Sequence, residues 1–486
     1  MRKNFIYTIS LSITNILFPI ISFPYASRML GPAGIGKVQF IVSLAQYFAL
    51  FAALGIPIYG ITQAAKYKDD QKKLAIVFGE ISSFFLIASI VVSAIYLTII
   101  YTVPYFAQDR HLFLAGGSLI LLGFCYSDWY YSGIEEFRII LVRSVLVKLI
   151  CLALLYSLVK NEGDFGKYFF ITVFSILGNQ VISFWAIAVK TRFRFSDLNL
   201  KQHIKPLFYI FSAAIAASIY TTLDTVMLGF LADDHAVGLY TACIKLIRLT
   251  IPFVTAMGAI LIPAISRNFA QKNLTEVSLL LDNSFRFLVF FAVPASAGIA
   301  LLAPEFITLF SGSRFANAAS SMQILAWLPL LIGFGHFFSF QILIPAGKNR
   351  EMLFSMLAGV ATFLLMNFLL VPTLHEKGAS LATIATELVV TLSYFYFIQK
   401  HFSFTYYWKF LIQSIACTLV FIPVIILVRE WDLGAIVTLC ISISLCVGLY
   451  LAAHLFLFKN TFLLNFIQPF RAKFKAFQWN KSREND

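Results

Sequence analysis

Two basic side chains lie deep inside an apolar stretch of the sequence. Lys245 and Arg248 belong to the run 237–265, which is long and hydrophobic enough to cross a bilayer. Their spacing places both side chains on one face of a helix. A charge near the middle of a membrane costs about 3 kcal/mol or more, so we expect this pair to line a water-filled cavity or to meet a partner. In such a cavity, both groups would present positive charge to whatever occupies it.

Two further basic residues fit the same chemistry. Lys148 lies deep in the apolar run 141–159, and Arg28 follows the first apolar run, just after Pro24. The glycines and prolines of "RMLGPAGIG" permit a sharp reversal that would hold Arg28 at the mouth of a cavity. Snorkelling to the membrane surface is the simpler alternative for Arg28, and it suffices to explain Arg143. The basic residues that are candidates for a binding role are therefore Arg28, Lys148, Lys245 and Arg248.

Carboxyl groups inside apolar runs are the second chemical feature. Asp224 lies in the run 205–231, and Glu387 lies in the run 378–399. Each could pair with a basic side chain as a structural ion pair. Each could instead take up and release a proton or Na⁺ during a transport cycle. Asp224 and Glu387 are accordingly the candidates for ion coupling.

Catalytic motifs are missing from the sequence. It contains no H-E-x-x-H, G-x-S-x-G or Walker A motif. The six cysteines fall in apolar runs without metal-binding spacing. We therefore expect no cofactor, no metal and no enzymatic activity. Without a P-loop, transport would be driven by an ion gradient or by the concentration difference of the substrate.

The elements that must position these side chains are membrane-spanning helices. The chain of 486 residues is 60% hydrophobic and 12% charged, whereas soluble domains have about 25% charged residues. The apolar runs are continuous, unlike the short alternating segments of a β-barrel, so the sequence predicts an all-α polytopic membrane protein. Fourteen runs are long enough to span: 6–26, 38–61, 74–101, 111–132, 141–159, 166–189, 205–231, 237–265, 282–303, 317–345, 351–370, 378–399, 409–428 and 433–458.

Lysine and arginine are concentrated in the connections on one side of these spans. The richest stretches are 66–73, 190–205 and the tail after Lys459. By the positive-inside rule this side is cytoplasmic, and both termini then lie in the cytoplasm. The net charge of +14 suits an anionic inner leaflet. No folded basic domain exists to bind nucleic acid, so none is expected as a partner.

One sequence unit occurs on both sides of the loop 190–205. "RMLGPAGIGKV" at 28–38 and "VMLGFLADDHAVGLY" at 226–240 share glycines at matching places, although glycine and proline also cluster in ordinary helix turns. Two parallel lobes are a common transporter plan. The predicted division is an N-terminal lobe 1–195 with spans one to six, a C-terminal lobe 196–400 with spans seven to twelve, spans thirteen and fourteen at 401–458, and a basic tail 459–486.

Polar side chains recur at helical spacing in the repeated unit. In span one they are Thr8, Ser12, Asn15 and Ser22, and spans two, seven and eight carry similar polar faces. Such a stripe could face water, or it could serve as a contact between helices. With Lys245 and Arg248 on one of these spans, the pattern favours a wet cavity.

The stretches "FPYASRMLGPAGIGKVQF", "LGIPIYGITQAAKYKDD" and "DWYYSGIEEFR" resemble a known family. They are similar to bacterial lipid-linked oligosaccharide flippases, also called O-antigen flippases or polysaccharide biosynthesis transporters, of the multidrug/oligosaccharidyl-lipid/polysaccharide exporter superfamily. The likeness is strongest over the first 140 residues and extends to about residue 350, whereas the last spans match only in hydropathy. The resemblance implies two pseudo-symmetric bundles of six helices, a cavity lined by spans one, two, seven and eight, and two extra C-terminal helices.

The resemblance also implies a substrate, namely an oligosaccharide on undecaprenyl pyrophosphate. It would move from the inner to the outer leaflet of the bacterial inner membrane by alternating access. The family's cavity is typically cationic, and Arg28 matches its "SR-x-LG" position. The resemblance therefore implies that Arg28, Lys245 and Arg248, with Lys148 next, bind the diphosphate through charge-assisted hydrogen bonds. Coupling to H⁺ or Na⁺ would then fall to Asp224 or Glu387. Expected partners are the lipid-linked oligosaccharide, membrane lipids, and the polysaccharide polymerase and chain-length machinery.

Three alternatives stay open at this point. The chain could be a peptidoglycan-precursor flippase or a cation-coupled drug exporter of the same superfamily. A drug exporter would need acids in its cavity more than the bases Lys245 and Arg248. A membrane-embedded glycan polymerase would need a larger outer loop than the connection near 304–316.

Overall fold

The computed structural model describes residues 2–191, 199–402 and 408–458. The predicted basic tail 459–486 lies outside the described residues, as do most side chains of the polar face predicted for span seven. Every regular element of the described chain is helical. The α-helices are α1 (Arg2–Ala53), α2 (Ile56–Lys66), α3 (Gln71–Thr102), α4 (Arg110–Gly116), α5 (Ser118–Leu121), α6 (Asp128–Gly133), α7 (Phe137–Leu158), α8 (Phe165–Thr191), α9 (Lys201–Leu231), α10 (Asp234–Arg248), α11 (Ile251–Ala270), α12 (Leu274–Leu301), α13 (Ala303–Ser311), α14 (Ala318–Leu325), α15 (Leu328–Phe338), α16 (Asn349–His401), α17 (Trp408–Leu419), α18 (Phe421–Arg429) and α19 (Ala435–Ala452).

The predicted number of spans is recovered from these helices. Eleven helical stretches of the described chain are long and apolar enough to cross a membrane. Two of them, of 48 and 53 residues, are long enough to cross twice, and their backbones break at Gly31 in α1 and at His375 in α16, where φ is 67° and 49°. The 31-residue α9 is a further long helix. Counted this way the chain has fourteen spans, and the prediction of an all-α polytopic protein is confirmed.

Residues of the chain group into two compact units. Unit 1 comprises 1–245, 310–318 and 363–382, and unit 2 comprises 246–309, 319–362 and 383–486. The division into lobes 1–195 and 196–400 rests on the sequence repeat and stays a prediction.

In unit 1, α1 packs against α3, α7, α8 and α9. The two repeated glycines predicted to match, Gly36 and Gly238, lie at one crossing of α1 and α10. A Cβ added to Gly36 would overlap the Asp234 carbonyl, and one added to Gly238 would overlap the Pro32 carbonyl. Glycine is therefore needed at both positions because the two backbones touch. The sequence repeat thus corresponds to a reciprocal contact between its two copies.

Unit 2 has its own apolar core. Phe285 is fully buried and packs edge-to-face against Phe337. Both belong to a cluster contributed by α11, α12, α15, α16, α17, α18 and α19. Arg429, the last residue of α18, joins this helix to α13 through two hydrogen bonds to Glu305, at 2.6 and 2.9 Å. Asp70 is the N-cap of α3. Its carboxylate accepts the Lys73 backbone N–H at 3.1 Å, and this hydrogen bond lowers the pKa of Asp70.

Candidate functional site

Arg28 is positioned by the break in α1. Gly31 adopts a left-handed φ of 67° that a side chain rarely tolerates, so the helix turns one residue before Pro32. The Arg28 guanidinium donates to the Pro24 carbonyl at 3.0 Å, and its stem lies beside Gly312. The side chain is exposed. The predicted reversal that holds Arg28 in a defined place is therefore present.

A second arginine lies at the same turn and was missed from the sequence. Arg314 approaches Gly31 to within 3.5 Å of a Cβ placed there, and it forms an ion pair with Glu162. The Arg314 and Glu162 side chains are both more than half exposed. Because the pair joins segments 152 residues apart, no local spacing could have indicated it. The guanidinium groups of Arg28 and Arg314 therefore both lie close to the turn at Gly31.

Lys245 lies over an aromatic ring of α1. Its ammonium is 4.5 Å from the centre of the Phe23 ring, a distance at which a cation is attracted to the ring face. Phe23 stacks in turn on Phe310, with centroids 5.3 Å apart. One turn before Lys245, the buried Thr241 hydroxyl has no hydrogen-bond partner in the described part of the chain. Lys245 is half-buried, so its charge is held beside α1 at the depth of Phe23.

Lys148 contacts the polar stripe predicted on span one. Its ammonium donates to the Asn15 amide oxygen and lies 5.7 Å from the centre of the Phe18 ring. The side chain is half-buried, whereas Asn15 is exposed. Lys148 therefore reaches α1 more than one helical turn away from Lys245.

These contacts bring three of the four predicted cations to one helix. Along α1, Lys148 lies at Asn15 and Phe18, Lys245 lies at Phe23, and Arg28 is part of the helix itself. With a rise of 1.5 Å per residue, positions 15 to 28 extend over about 20 Å. The first half of α1 therefore has three positive side chains at successive depths and on different faces within unit 1; these three are called the row of cations below. Sequence reasoning found the residues but not the helix that groups them.

Asp224 is a buried, hydrogen-bonded acid. One carboxylate oxygen accepts from the Tyr240 hydroxyl at 2.7 Å, and the other accepts from the Thr225 backbone N–H at 2.7 Å. Asp224 is 4% exposed and Tyr240 is fully buried. Since Tyr240 belongs to α10, the carboxylate ties α9 to the helix that carries Lys245. Its role in ion coupling stays a prediction.

The remaining predicted residues belong to unit 2. Arg248 is exposed at the last position of α10, and Glu387 is half-buried inside α16. Unit 1 therefore groups Arg28, Lys148, Lys245 and Asp224, whereas Arg248 and Glu387 lie in the other unit.

Unit 1 also contains a buried chain of hydrogen-bonded polar groups that was not predicted from the sequence. Glu80, which the sequence indicates only as a single acid in an apolar run, accepts from His203 Nε2 at 3.0 Å and from the Asn199 backbone N–H at 2.9 Å. Since a carboxylate only accepts, we assign the proton to His203 Nε2, and Nδ1 then accepts from the Tyr59 hydroxyl at 2.7 Å. These groups join α2, α3 and the start of α9.

Sequence models of two known families match this chain. The sequence model of a family described as "Polysaccharide biosynthesis protein" matches residues 1–269. The model described as "Lipid II flippase MurJ" matches residues 168–445. Each match covers more than half of the chain, and the two overlap over residues 168–269.

Individual relatives agree with the family models. The Escherichia coli (strain K12) protein named "Putative O-antigen transporter" is 24% identical over 406 residues, which cover 82% of this chain and 97% of the relative. The "Lipid II flippase MurJ" of Bacillus subtilis (strain 168) is 28% identical over 195 residues, which cover 39% of this chain and 36% of that protein.

Solved structures show the same fold. A structure of "Lipid II flippase MurJ, inward closed conformation" has a TM-score of 0.76 at 13% identity and covers 94% of this chain and 99% of its own. An inward-facing multidrug resistance MATE family transporter of the MOP superfamily has a TM-score of 0.61 at 15% identity and covers 81% of this chain and 97% of its own. The resemblance inferred from the sequence is confirmed, as is the prediction of a transporter instead of an enzyme. The chain belongs to the polysaccharide biosynthesis protein family of multi-pass membrane transporters, and it has the fold of the lipid II flippase MurJ.

Proposed function

We propose that this protein moves an oligosaccharide linked to undecaprenyl pyrophosphate from the inner to the outer leaflet of the bacterial inner membrane. The observation that carries the proposal is the row of cations along the first half of α1, formed by Lys148, Lys245 and Arg28. The names of the E. coli and B. subtilis relatives support a lipid-linked saccharide as the substrate class.

The physical problem that such a transporter solves is the cost of polar groups in hydrocarbon. Each polar group buried without a partner costs several kcal/mol, so a diphosphate with sugars does not cross unaided. Ammonium and guanidinium groups placed at several depths supply charge-assisted hydrogen bonds to phosphate oxygens. The three cations are spread over about 20 Å of α1 and on different faces of it, so a diphosphate that moves past this helix would meet a positive group at each depth as the two lobes alternate their exposure.

The other predicted residues take their roles within this scheme. Arg248 is the fourth proposed phosphate ligand, next to Lys245 on α10. Asp224 and Glu387 are the proposed H⁺ or Na⁺ coupling groups. Both termini would be cytoplasmic, and the polysaccharide polymerase with its chain-length machinery would receive the product.

A peptidoglycan-precursor flippase is the second candidate. The observation that favours it is the match of the lipid II flippase family model over 168–445, together with the TM-score of 0.76. Both substrates carry a diphosphate, so the same cations would serve either one. Complementation separates them: we expect rescue of a strain lacking its O-antigen flippase, and rescue of a strain depleted of its lipid II flippase would favour the alternative.

The central test is removal of the Lys245 charge. In the complemented strain, we expect Lys245→Ala to abolish surface display of the glycan while lipid-linked precursor accumulates and the protein still inserts. Lys245→Arg should be milder, because the charge is kept. Lys68→Ala is the matched control, since Lys68 forms an exposed ion pair with Glu135 at 3.3 Å. Normal display from Lys245→Ala, Lys148→Ala and Arg28→Ala alike would refute the cation row as a binding path.

A further inference from the structure

A groove of about 670 Å³ lies along α7 and α8 in unit 1, apart from the row of cations on α1. Its wall is apolar, and five of its hydrophobic lining side chains are 40–55% exposed: Ile139, Val142, Leu146, Ile150 and Ile182. These residues belong to two candidate membrane spans. The groove therefore opens where the hydrocarbon of a bilayer would be, and its apolar wall is of the kind that an acyl chain contacts.

The polar end of the groove holds a buried guanidinium that lacks one acceptor. Arg143 is 7% exposed. Its Nη2 donates to Asp128 at 2.7 Å and its Nε donates to Asn179 at 3.2 Å. Its Nη1 has no hydrogen-bond partner within the described residues. Arg143 lines the groove and a buried donor is almost always paired, so a small outward shift of the side chain would let an acceptor in the groove reach Nη1.

Two further charges flank the same end. Glu136 precedes the first residue of α7, and Arg138 lies in its first turn. Both side chains line the groove and are exposed. Neither forms an ion pair or a side-chain hydrogen bond among the residues that the structure describes. Arg143 lies about 9 Å along the axis of α7 from its first residue. Glu136, Arg138 and Arg143 therefore lie at the level of a phospholipid head group, and the apolar wall continues beyond them.

The charge balance of this end selects the ligand. Arg143 is already compensated by Asp128, which leaves one positive charge on Arg138 and one negative charge on Glu136. A phosphodiester would accept from Arg143 Nη1 and Arg138, and an ammonium group would donate to Glu136. A head group that carries both charges matches this pattern better than a purely anionic one.

We propose that this groove is a binding site for a glycerophospholipid with an amine head group, such as phosphatidylethanolamine. The phosphate binds at the polar end of the groove, near Arg143 and Arg138, and the ammonium binds Glu136. One acyl chain follows the apolar wall from Val142 to Ile150. A lipid-linked saccharide is a poorer occupant, because the lining offers no hydroxyl or amide side chain for sugars. The site does not depend on the proposed transport function.

The test is native mass spectrometry of the purified, delipidated full chain. The protein is mixed with equal amounts of phosphatidylethanolamine, phosphatidylglycerol and phosphatidylcholine that carry the same acyl chains. We expect the phosphatidylethanolamine adduct to exceed each of the others by about fivefold. Equal adducts of the three lipids, or a preference for phosphatidylglycerol, would overturn the proposal.

Variants locate the adduct without touching the buried Arg143. Leu146→Trp fills the groove and should lower the phosphatidylethanolamine adduct by about fivefold. Leu149→Trp is the matched control, because Leu149 lies on the same helix, is 57% exposed against 55% for Leu146, and does not line the groove. Glu136→Gln should remove the preference over phosphatidylglycerol. Equal adducts from both tryptophan variants, each eluting as a folded monodisperse protein, would show that the lipid binds elsewhere.

Discussion

The crossing of α1 and α10 at Gly36 and Gly238 allows a sharp test of the fold. A methyl group on Gly36 would overlap the carbonyl of Asp234, and a methyl group on Gly238 would overlap the carbonyl of Pro32. Backbone atoms cannot rotate away as a side chain can, so each alanine must push the two helices apart. Overpacking of this kind costs about 1–3 kcal/mol. We therefore expect Gly36→Ala and Gly238→Ala each to lower the apparent melting temperature in detergent.

The double variant gives the more specific result. Both alanines displace the same pair of backbones, so once the first has separated them the second should cost less. We expect the combined loss to be smaller than the sum of the two single losses, by about 0.5–3 kcal/mol. Strict additivity would mean that the two glycines do not share one crossing.

A control comes from a glycine in open space. Gly298 lies within α12, and a Cβ there would meet no atom within 4 Å. Gly298→Ala should leave the melting temperature unchanged or raise it, because alanine favours a helix by about 0.5–1 kcal/mol over glycine. All variants are heated at one scan rate, since unfolding of membrane proteins is commonly irreversible. A loss at Gly298→Ala equal to that at Gly36→Ala would refute the steric argument.

Three further substitutions test individual contacts. Tyr240→Phe removes the 2.7 Å hydrogen bond to buried Asp224 and should destabilise the protein by about 1–3 kcal/mol, measured as a lower melting temperature. Tyr59→Phe leaves His203 Nδ1 without its donor and should cost about the same. Lys148→Gln keeps a polar side chain near α1 but removes the charge, so surface display of the glycan should fall while melting temperature changes little.

The matched controls use the same chemical change at exposed sites. Tyr396 is 62% exposed, so Tyr396→Phe should leave the melting temperature unchanged. If it matched Tyr240→Phe or Tyr59→Phe, the loss would not come from a buried hydrogen bond. Lys68→Gln serves in the same way for Lys148→Gln, and normal display from Lys148→Gln would assign Lys148 a purely structural role.

Hydropathy and local turn chemistry were sufficient for the elements of this fold. The continuous apolar runs predicted the spans, and the proline and glycine pattern after Arg28 predicted the reversal at Gly31. The break at His375 falls between the predicted spans 351–370 and 378–399, although a φ of 49° is rare for a residue other than glycine. Local sequence therefore determines where helices run, and most of the places where they turn.

Contacts between distant helices were beyond the reach of spacing arguments. A period of 3.6 residues places Asn15 on a face of span one, but it does not say that Lys148 meets that face. Likewise Glu80 accepts from His203, 123 residues further along the chain. Arg143 shows the same limit, since snorkelling explains an exposed arginine, whereas Arg143 is 7% exposed and paired with Asp128. Its environment depends on tertiary packing that one sequence does not reveal.

The structure also changes the order of the proposed phosphate ligands. The sequence placed Lys148 after Arg28, Lys245 and Arg248. Its contacts are an amide oxygen of Asn15 and the ring of Phe18, both of which are neutral. A cation held by a carboxylate must exchange one anion for another when a phosphate binds, whereas a cation held by an amide and a ring exchanges weaker contacts for a charge-assisted bond. Lys148 therefore has a large electrostatic gain available on binding a diphosphate, which makes it a principal ligand in the proposed path along α1.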